Sequence, residues 1–342
     1  MTLRLSQIKD SSEIVDSTIT IKLSDYGTVS DLGTHESAVN NANLFKLAYQ
    51  DILSKRFGMF NATVCNLECP PGDYYFGDNP SGNANYYNMI LNHPQASNIS
   101  IRGVTSGTKP SNQNLSAAAT VNDRYNLLKA HYKTRFHFKK NGILGGLVNT
   151  GGGRAPGLHK IGIFGSYKDA PGSFDTTYTG FARGVTGNIR LEFCCIHGFG
   201  INGNPNSWGL GTDGGGKIDT YDIQVVDCVR GFFAQRNGNI SSFGDACSIH
   251  NIAGSAGQGL LALDNASIYF AGGGTGYVAN CSNIGALAYS GGVIRFGNGG
   301  THTITSTVKE NLYADSLGLI IGDGTTVSYS TKFSQRGARI EV

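Results

Sequence analysis

Three segments of the chain line up without gaps: Gly231-Phe-Phe-Ala-Gln-Arg-Asn-Gly-Asn-Ile240, Gly259-Leu-Leu-Ala-Leu-Asp-Asn-Ala-Ser-Ile268 and Gly285-Ala-Leu-Ala-Tyr-Ser-Gly-Gly-Val-Ile294. They begin at 231, 259 and 285, so they are 28 and 26 residues apart. Each is a short apolar run, a polar or glycine corner, and another apolar run, too short for a helix with a buried stripe. Short strands at a fixed period of this size predict a solenoid. One rung cannot bury its own apolar face, so rungs stack with like residues above like. Ala234, Ala262 and Ala288 form one expected ladder, and Ile240, Ile268 and Ile294 another. Asn237, Asn265 and Gly291 fall where a corner needs positive φ, which Asn and Gly tolerate best. A second alignment, of Asn188–Cys194 on Asp222–Cys228, suggests a 34-residue offset that puts Glu192 beside Val226 and Arg190 beside Gln224. The fold class expected is all-β: a parallel β-helix with an N-terminal capping α-helix, right-handed by analogy with other β-solenoids. No six-residue periodicity of the left-handed kind is present.

Working outward, Glu36 to Arg56 carries apolar residues close to a 3.6-residue period, with Thr34 as N-cap and Gly58 as terminator. An amphipathic helix before a solenoid would cover the open end of its first rung. The expected organisation is an N-terminal arm (1–23), a capping motif and helix (24–60), and a solenoid (61–325). Loop insertions are expected near 105–133, 167–182 and 202–216, and a tail over 326–342 without a capping helix. An uncapped end exposes strand edges, which oligomer contact or another protein would cover.

The 49 glycines among 342 residues fit a fold with a tight corner in every rung. A net charge of +3, scattered rather than clustered, points away from nucleic acid. The longest apolar runs are too short to span a bilayer, and Met1-Thr-Leu-Arg-Leu-Ser6 lacks a signal-peptide core, so no membrane insertion is expected. The seven cysteines are an odd number, and Cys194, Cys228 and Cys281 stand in apolar strands, where free thiols pack as small hydrophobes. That pattern suits assembly in a reducing cytoplasm. Cys65-x-x-x-Cys69 lacks the partners of a zinc site, and the eight histidines are dispersed. Thr150-Gly-Gly-Gly and Asp213-Gly-Gly-Gly lack the Lys and Ser/Thr of a phosphate loop. Neither metal nor cofactor is expected.

The order Asp25-Tyr-Gly-Thr-Val-Ser-Asp31, a helix, Pro70-Pro-Gly-Asp-Tyr74 and Ile99-Ser-Ile-Arg-Gly103 resembles the opening of pectate-lyase-like β-helix proteins, a group that includes phage tailspikes and tail fibres. The run of Gly and Asp that usually follows the first motif is here Ser30-Asp-Leu-Gly-Thr-His-Glu36. The resemblance implies a homotrimeric virion protein, assembled in the host cytoplasm. It would join tail or baseplate proteins through its N-terminal arm and touch host-surface polysaccharide. The alternative on the same scaffold is a polysaccharide depolymerase, a hydrolase or a lyase.

Glycosidases need two carboxylates about 5 to 9.5 Å apart, a span that acids on adjacent or next-nearest rungs can meet. Glu192, Asp213 and Asp222 are the candidate catalytic residues under that alternative; the competing role for acids at turns is capping. Arg190 shares the outward side of its strand with Glu192 and is a candidate sugar contact. Trp208, the one tryptophan, stands in a Gly-rich stretch where an exposed ring could pack on a sugar, or could fold back over a corner. Arg236 and Asp264 hold matched positions and are expected to pair across the stack. Tyr74, Tyr75, Tyr86 and Tyr87 read as rung packing.

Overall fold

The structure, a computed structural model, describes residues 19–29, 35–54, 65–76, 99–138, 147–148, 156–165, 183–200, 207–244, 247–250, 252, 257–271, 275–297, 300–306 and 309–342. Most of the N-terminal arm, the expected N-cap Thr34, Tyr86, Tyr87 and the 167–182 insertion lie outside these residues.

Strands dominate, and they assemble into three all-parallel sheets, of eleven, nine and eight strands. Within each rung the chain visits sheet A, then B, then C, as in Lys217–Tyr221, Gln224–Val226 and Arg230–Ala234, before starting sheet A again at Asn239–Phe243. This is a parallel β-solenoid. The ladders that the repeats imply are present. Ala234, Ala262, Ala288 and Ala314 pair in register in sheet C. In sheet A, Ile189, Ile218, Ile240, Ile268, Ile294, Ile320 and Ile340 form one continuous column. Alternation along each strand points this column inward, where its residues belong to one hydrophobic core running the length of the stack.

The corners follow from chirality. Between sheets C and A the chain makes the same four-residue turn at 213–216, 235–238, 263–266, 289–292, 315–318 and 335–338. Each is closed by a hydrogen bond from its fourth N–H to its first carbonyl. Both central residues have positive φ, among them Asn237 (64°), Asn265 (60°) and Gly291 (75°). Neighbouring turns bond directly, as Asn237 N–H does to the Asp264 carbonyl at 3.1 Å and Asn265 N–H to the Ser290 carbonyl at 3.1 Å. The final residues are a further rung rather than a tail: Thr326–Ser328, Lys332–Ser334 and Arg339–Glu341 extend all three sheets.

The 34-residue offset is corrected. Ile189 pairs with Ile218, Arg190 with Asp219 and Glu192 with Tyr221, an offset of 29. The sequence match had laid a sheet A strand on a sheet B strand, because both are short apolar runs that end in a buried cysteine.

Helix α1 (His35–Ser54) turns Leu44, Phe45, Ala48 and Ile52 into the core. Phe45 meets Tyr74, Phe76 and Phe136 edge-on at 5.4–5.9 Å, and Asn41 donates to the Tyr75 carbonyl at 3.2 Å. The stretch 105–133, expected as a loop, instead contains α2 (Asn112–Ala117) and α3 (Val121–His131). Thr120 and Asp123 form a reciprocal capping box at the start of α3. The antiparallel bridge Thr105–Tyr132 closes the neck of this insertion. All seven cysteines are buried, and none forms a disulfide.

Candidate functional site

The three outward faces of the solenoid have different fates, and this decides where chemistry can occur. Over its early and middle rungs sheet B is covered by the chain's own helices, while Thr301, Thr326 and Ser328 on its last strands are exposed. Leu115, Tyr125, Leu128 and Tyr132 form a second core with Phe164, Cys195 and Val226. Beneath them Arg124 grips Asp227, with Nε and Nη2 donating at 2.7–3.0 Å, and His197 Nε2 lies 3.0 Å from the same carboxylate. Lys109 Nζ donates to the Asp222 carbonyl at 2.7 Å. A second cluster joins Asp73 to Arg135 and His137 at 2.5–2.6 Å. Burial alone would raise Asp73, but those two partners hold its carboxyl well below the usual range. Each buried charge has a partner, which is what a structural contact requires.

Sheet C presents an apolar column outward: Phe233, Leu261, Leu287, Tyr313 and Phe333 are in register. Phe233 and Leu261 are buried, and exposure grows toward Phe333.

Sheet A is bare. Strand alternation and rung register place two columns on its outer face. One runs Arg102, His159, Glu192, Tyr221 and Phe243; the other runs Arg190, Asp219, Ser241, Tyr269 and Arg295. Aromatic rings link the rungs. His159 meets Phe193 edge-on at 5.4 Å, Phe193 meets Tyr221 at 5.4 Å, and Phe243 meets Tyr269 at 5.7 Å. Phe193 and Tyr221 remain 36% and 43% exposed, and neither is part of the buried core. Phe193 sits at a corner with φ 52°, which swings its ring out. Two hollows flank these rings. One of about 410 Å³ is lined by Lys22, Glu68, Arg102, His159 and Lys160 among others. The second, of about 540 Å³, includes Asn239, Ser241, Tyr269, Arg295 and Asp323. Rings flanked by hydrogen-bonding and charged groups on an exposed face can hold a polyhydroxylated chain, packing on its C–H faces and bonding its hydroxyls.

Of the candidate acids Asp213 stands apart, whereas the register sets Glu192 beside Tyr221, the residue before Asp222. Glu192 stands on the sheet A face as expected, paired with Arg190 on the same strand. Asp213 opens a C-to-A turn, where Arg236 donates to it through Nε at 2.6 Å. Partial burial pushes Asp213 up, but the Arg236 hydrogen bonds outweigh it and hold the carboxyl low. Arg236 therefore pairs with Asp213 of the preceding rung, and the expected pairing with Asp264 is corrected: a salt bridge needs the shorter reach. Asp222 occupies the corner at the other end of strand Lys217–Tyr221, with φ 51°. At about 3.3 Å per residue that strand separates Asp213 from Asp222 by roughly 16 Å, too far for a glycosidase pair.

Trp208 is not an exposed platform. It begins strand Trp208–Thr212, is 6% exposed, and lies 4.9 Å from Phe233 over sheet C. The rings that do stand out, Phe193 and Tyr221, were missed. Tyr221 follows the buried Thr220 and pairs with outward Glu192, so period-two alternation with the 29-residue register would have found it, whereas Phe193, two residues after inward Leu191, reaches the face only through its corner φ of 52°. Among the described residues no cluster of three His, Cys, Asp or Glu side chains could hold a metal ion. No protein-family model matches the chain, and no curated protein matches it.

Proposed function

We propose that the protein is a phage tailspike or tail fibre adhesin whose sheet A face binds host-surface polysaccharide during adsorption. The observation that carries this reading is the line of outward rings, Phe193, Tyr221, Phe243 and Tyr269, with a polar hollow at each end. A rigid parallel stack displays such a line at a fixed pitch, with little ordering entropy left to lose on binding. In this reading the solenoid is right-handed, and α1 caps its first rungs, supported by Phe45 in the aromatic core and Asn41 on the Tyr75 carbonyl. Three copies associate through sheet C, whose apolar column of Leu287, Tyr313 and Phe333 is the face best suited to exclude water. The N-terminal arm attaches the trimer to the tail or baseplate, so the protein resides in the virion.

Depolymerase activity is the competing reading, with Glu192 its best-placed acid. One experiment separates the two. Purified protein is incubated with host-surface polysaccharide, and binding, reducing ends and ultraviolet absorbance are followed together. Binding that falls at least tenfold in Phe193→Ala/Tyr221→Ala, without new reducing ends, supports the adhesin. New reducing ends make it a hydrolase if no absorbing double bond accompanies them, and a lyase if one does. Light scattering of the same protein checks the trimer; a monomer at micromolar concentration would refute the sheet C interface.

A further inference from the structure

We infer that helix α2 (Asn112–Ala117) is an acid-released flap, which seals His250 against sheet B at neutral pH and lifts off the intact solenoid when the freed imidazole takes up a proton. The flap lies on sheet B, so it stands or falls apart from the glycan reading of sheet A. The insertion that carries it is a detour between two strands of one rung, Ile99–Arg102 of sheet A and Thr134–Phe138 of sheet B. Neither strand needs the insertion for its ladder. Ile99–Arg102 pairs with Cys65–Glu68 and Gly157–His159, and Thr134–Phe138 with Gly72–Phe76 and Gly162–Phe164. Part of the insertion can therefore move while the rungs stay paired.

The two helices are held unequally. Helix α3 buries Arg124, Tyr125 and Leu128, and Arg124 grips Asp227. Helix α2 buries one side chain, Leu115, and rests on the strands Ser248–His250 and Thr275–Cys281. Its polar hold gathers on one ring. Asn112 Oδ1 lies 3.3 Å from His250 Nε2, and Ser116 Oγ lies 3.2 Å from His250 Nδ1 and 3.4 Å from the Tyr277 hydroxyl. Asn112 Oδ1 can only accept, so Nε2 carries the hydrogen and Nδ1 accepts from Ser116. Two residues one helical turn apart thus clasp both nitrogens of a neutral imidazole. A six-residue helix has too little stability of its own to replace that clasp. The chain on either side is pinned: Gln224 donates to the Pro110 carbonyl at 2.8 Å, and Arg124 to the Ala118 carbonyl at 2.6 Å. The segment free to swing is α2 itself.

His250 is fully buried under this flap. From a corner of sheet B, Asp227 favours a cation there, and Arg124 of α3 opposes one. Asp227 is already engaged by Arg124 and His197. The Tyr277 ring lies 4.9 Å away on the next rung, and α2 brings no titratable group. Burial dominates and pushes the imidazole down to about 3 while the flap is closed. Once the flap opens, the ring meets water and returns to its ordinary value of about 6.5. The closed form is therefore fully favoured above pH 6.5. It loses ground as the pH falls from there toward 3, with the opening constant rising about tenfold per unit. Release uncovers His250 and Tyr277. The Tyr277 column continues in register through Thr303 to the exposed Ser328, so the open strip of sheet B lengthens by two rungs.

The test is hydrogen exchange of the full-length protein, read by mass spectrometry at pH 7, 6, 5 and 4, with each rate divided by the intrinsic rate at that pH. Protection of peptide 111–118 should fall about 70-fold between pH 6 and pH 4, while α3 and Ile189–Glu192 keep theirs. In His250→Gln, whose side chain takes no proton, protection of α2 should be indifferent to pH. Ser116→Ala loosens the clasp but leaves the imidazole in place, so it should lower protection at every pH with the same slope. Protection of α2 that holds from pH 7 to pH 4 would overturn the inference. So would a loss shared in step by α3 and Ile189–Glu192, which is general acid unfolding, an equal loss in His250→Gln, or unchanged protection in Ser116→Ala at pH 7.

Discussion

Gly259→Ala tests the packing logic of the stack most directly. Gly231, Gly259 and Gly285, the first residues of the three repeats, lie one above another in sheet C. None of them has positive φ, so the demand for glycine there is one of space. A Cβ on Gly259 would stand 2.4 Å from Val278 Cγ1, 2.6 Å from the Gly285 carbonyl oxygen and 2.9 Å from Cys281 Sγ. Gly231 and Gly285 meet the same pair of obstacles, a β-branched side chain of sheet B (Ile249 and Ile304) and a backbone carbonyl. Overpacking costs typically about 1–3 kcal/mol, and because neither a carbonyl nor a stiff Val side chain swings aside, the upper end, about 3 kcal/mol, is expected. Urea unfolding followed by circular dichroism reads this as a lower midpoint at constant slope. Val278→Ala alone should cost about 1 kcal/mol per methyl removed. The double variant should cost less than the sum by about 1 kcal/mol, since the new methyl enters the space Val278 vacates. A Gly259→Ala midpoint within about 0.5 kcal/mol of the parent, or strictly additive costs, would refute the reasoning.

Other consequences are open to measurement. Asp227→Asn keeps shape but strands Arg124 under the insertion, and breaking such a buried pair costs about 3–5 kcal/mol; Arg124→Leu/Asp227→Leu should recover much of it, and equal stability of Asp227→Asn and the parent would remove the pair's role. Burial pushes His250 down to about 3 and His159 to about 4. The unfolded chain then takes up protons first as the pH drops below about 6.5, so stability is lost between there and pH 3. For His250 the ceiling is roughly 5 kcal/mol at 1.36 kcal/mol per unit. Melting temperatures across that range should fall, and fall less in His250→Gln; parallel curves would exclude His250 as a contributor. Leu317 is 72% exposed at φ 66° in a turn that Gly or Asn would suit. Leu317→Gly should therefore raise stability by about 1 kcal/mol in the same urea assay, and a loss would show that its side chain matters more than its backbone.

The fold was legible where the chain repeats itself. Ala234/Ala262/Ala288 and Ile240/Ile268/Ile294 announce inward columns because like residues must stack in a parallel rung, and Asn237, Asn265 and Gly291 announce the corners because few side chains accept positive φ. The insertion was less legible, since α2 and α3 are short and draw their stability from packing on sheet B. Their one local signal is the Thr120/Asp123 box. The site was obscured for a different reason. Acids such as Asp213 and Asp222 belong to corners, and the outward face emerges only once the register is known. A five-residue error in one offset moved Glu192 from beside Tyr221 to beside Val226. Trp208 misled because glycines around it suggested a loop, whereas Gly209 and Gly211 sit in its own strand, and Gly211 makes room for the indole.

The stacked C-to-A turns carry a consequence for how such a chain can change over generations. Each turn offers the same bonds to its neighbour above and below, and Ala262 and Ala288 are equivalent points one rung apart. Removing residues 263–288 would join Ala262 to Tyr289, reproducing the existing Ala288–Tyr289 junction and shortening the body by one layer of about 4.8 Å. Unequal recombination at these points adds or deletes whole layers without disturbing the corner chemistry. Reach can thus be altered separately from the side chains displayed on any one face, a freedom that globular folds with closed cores do not have.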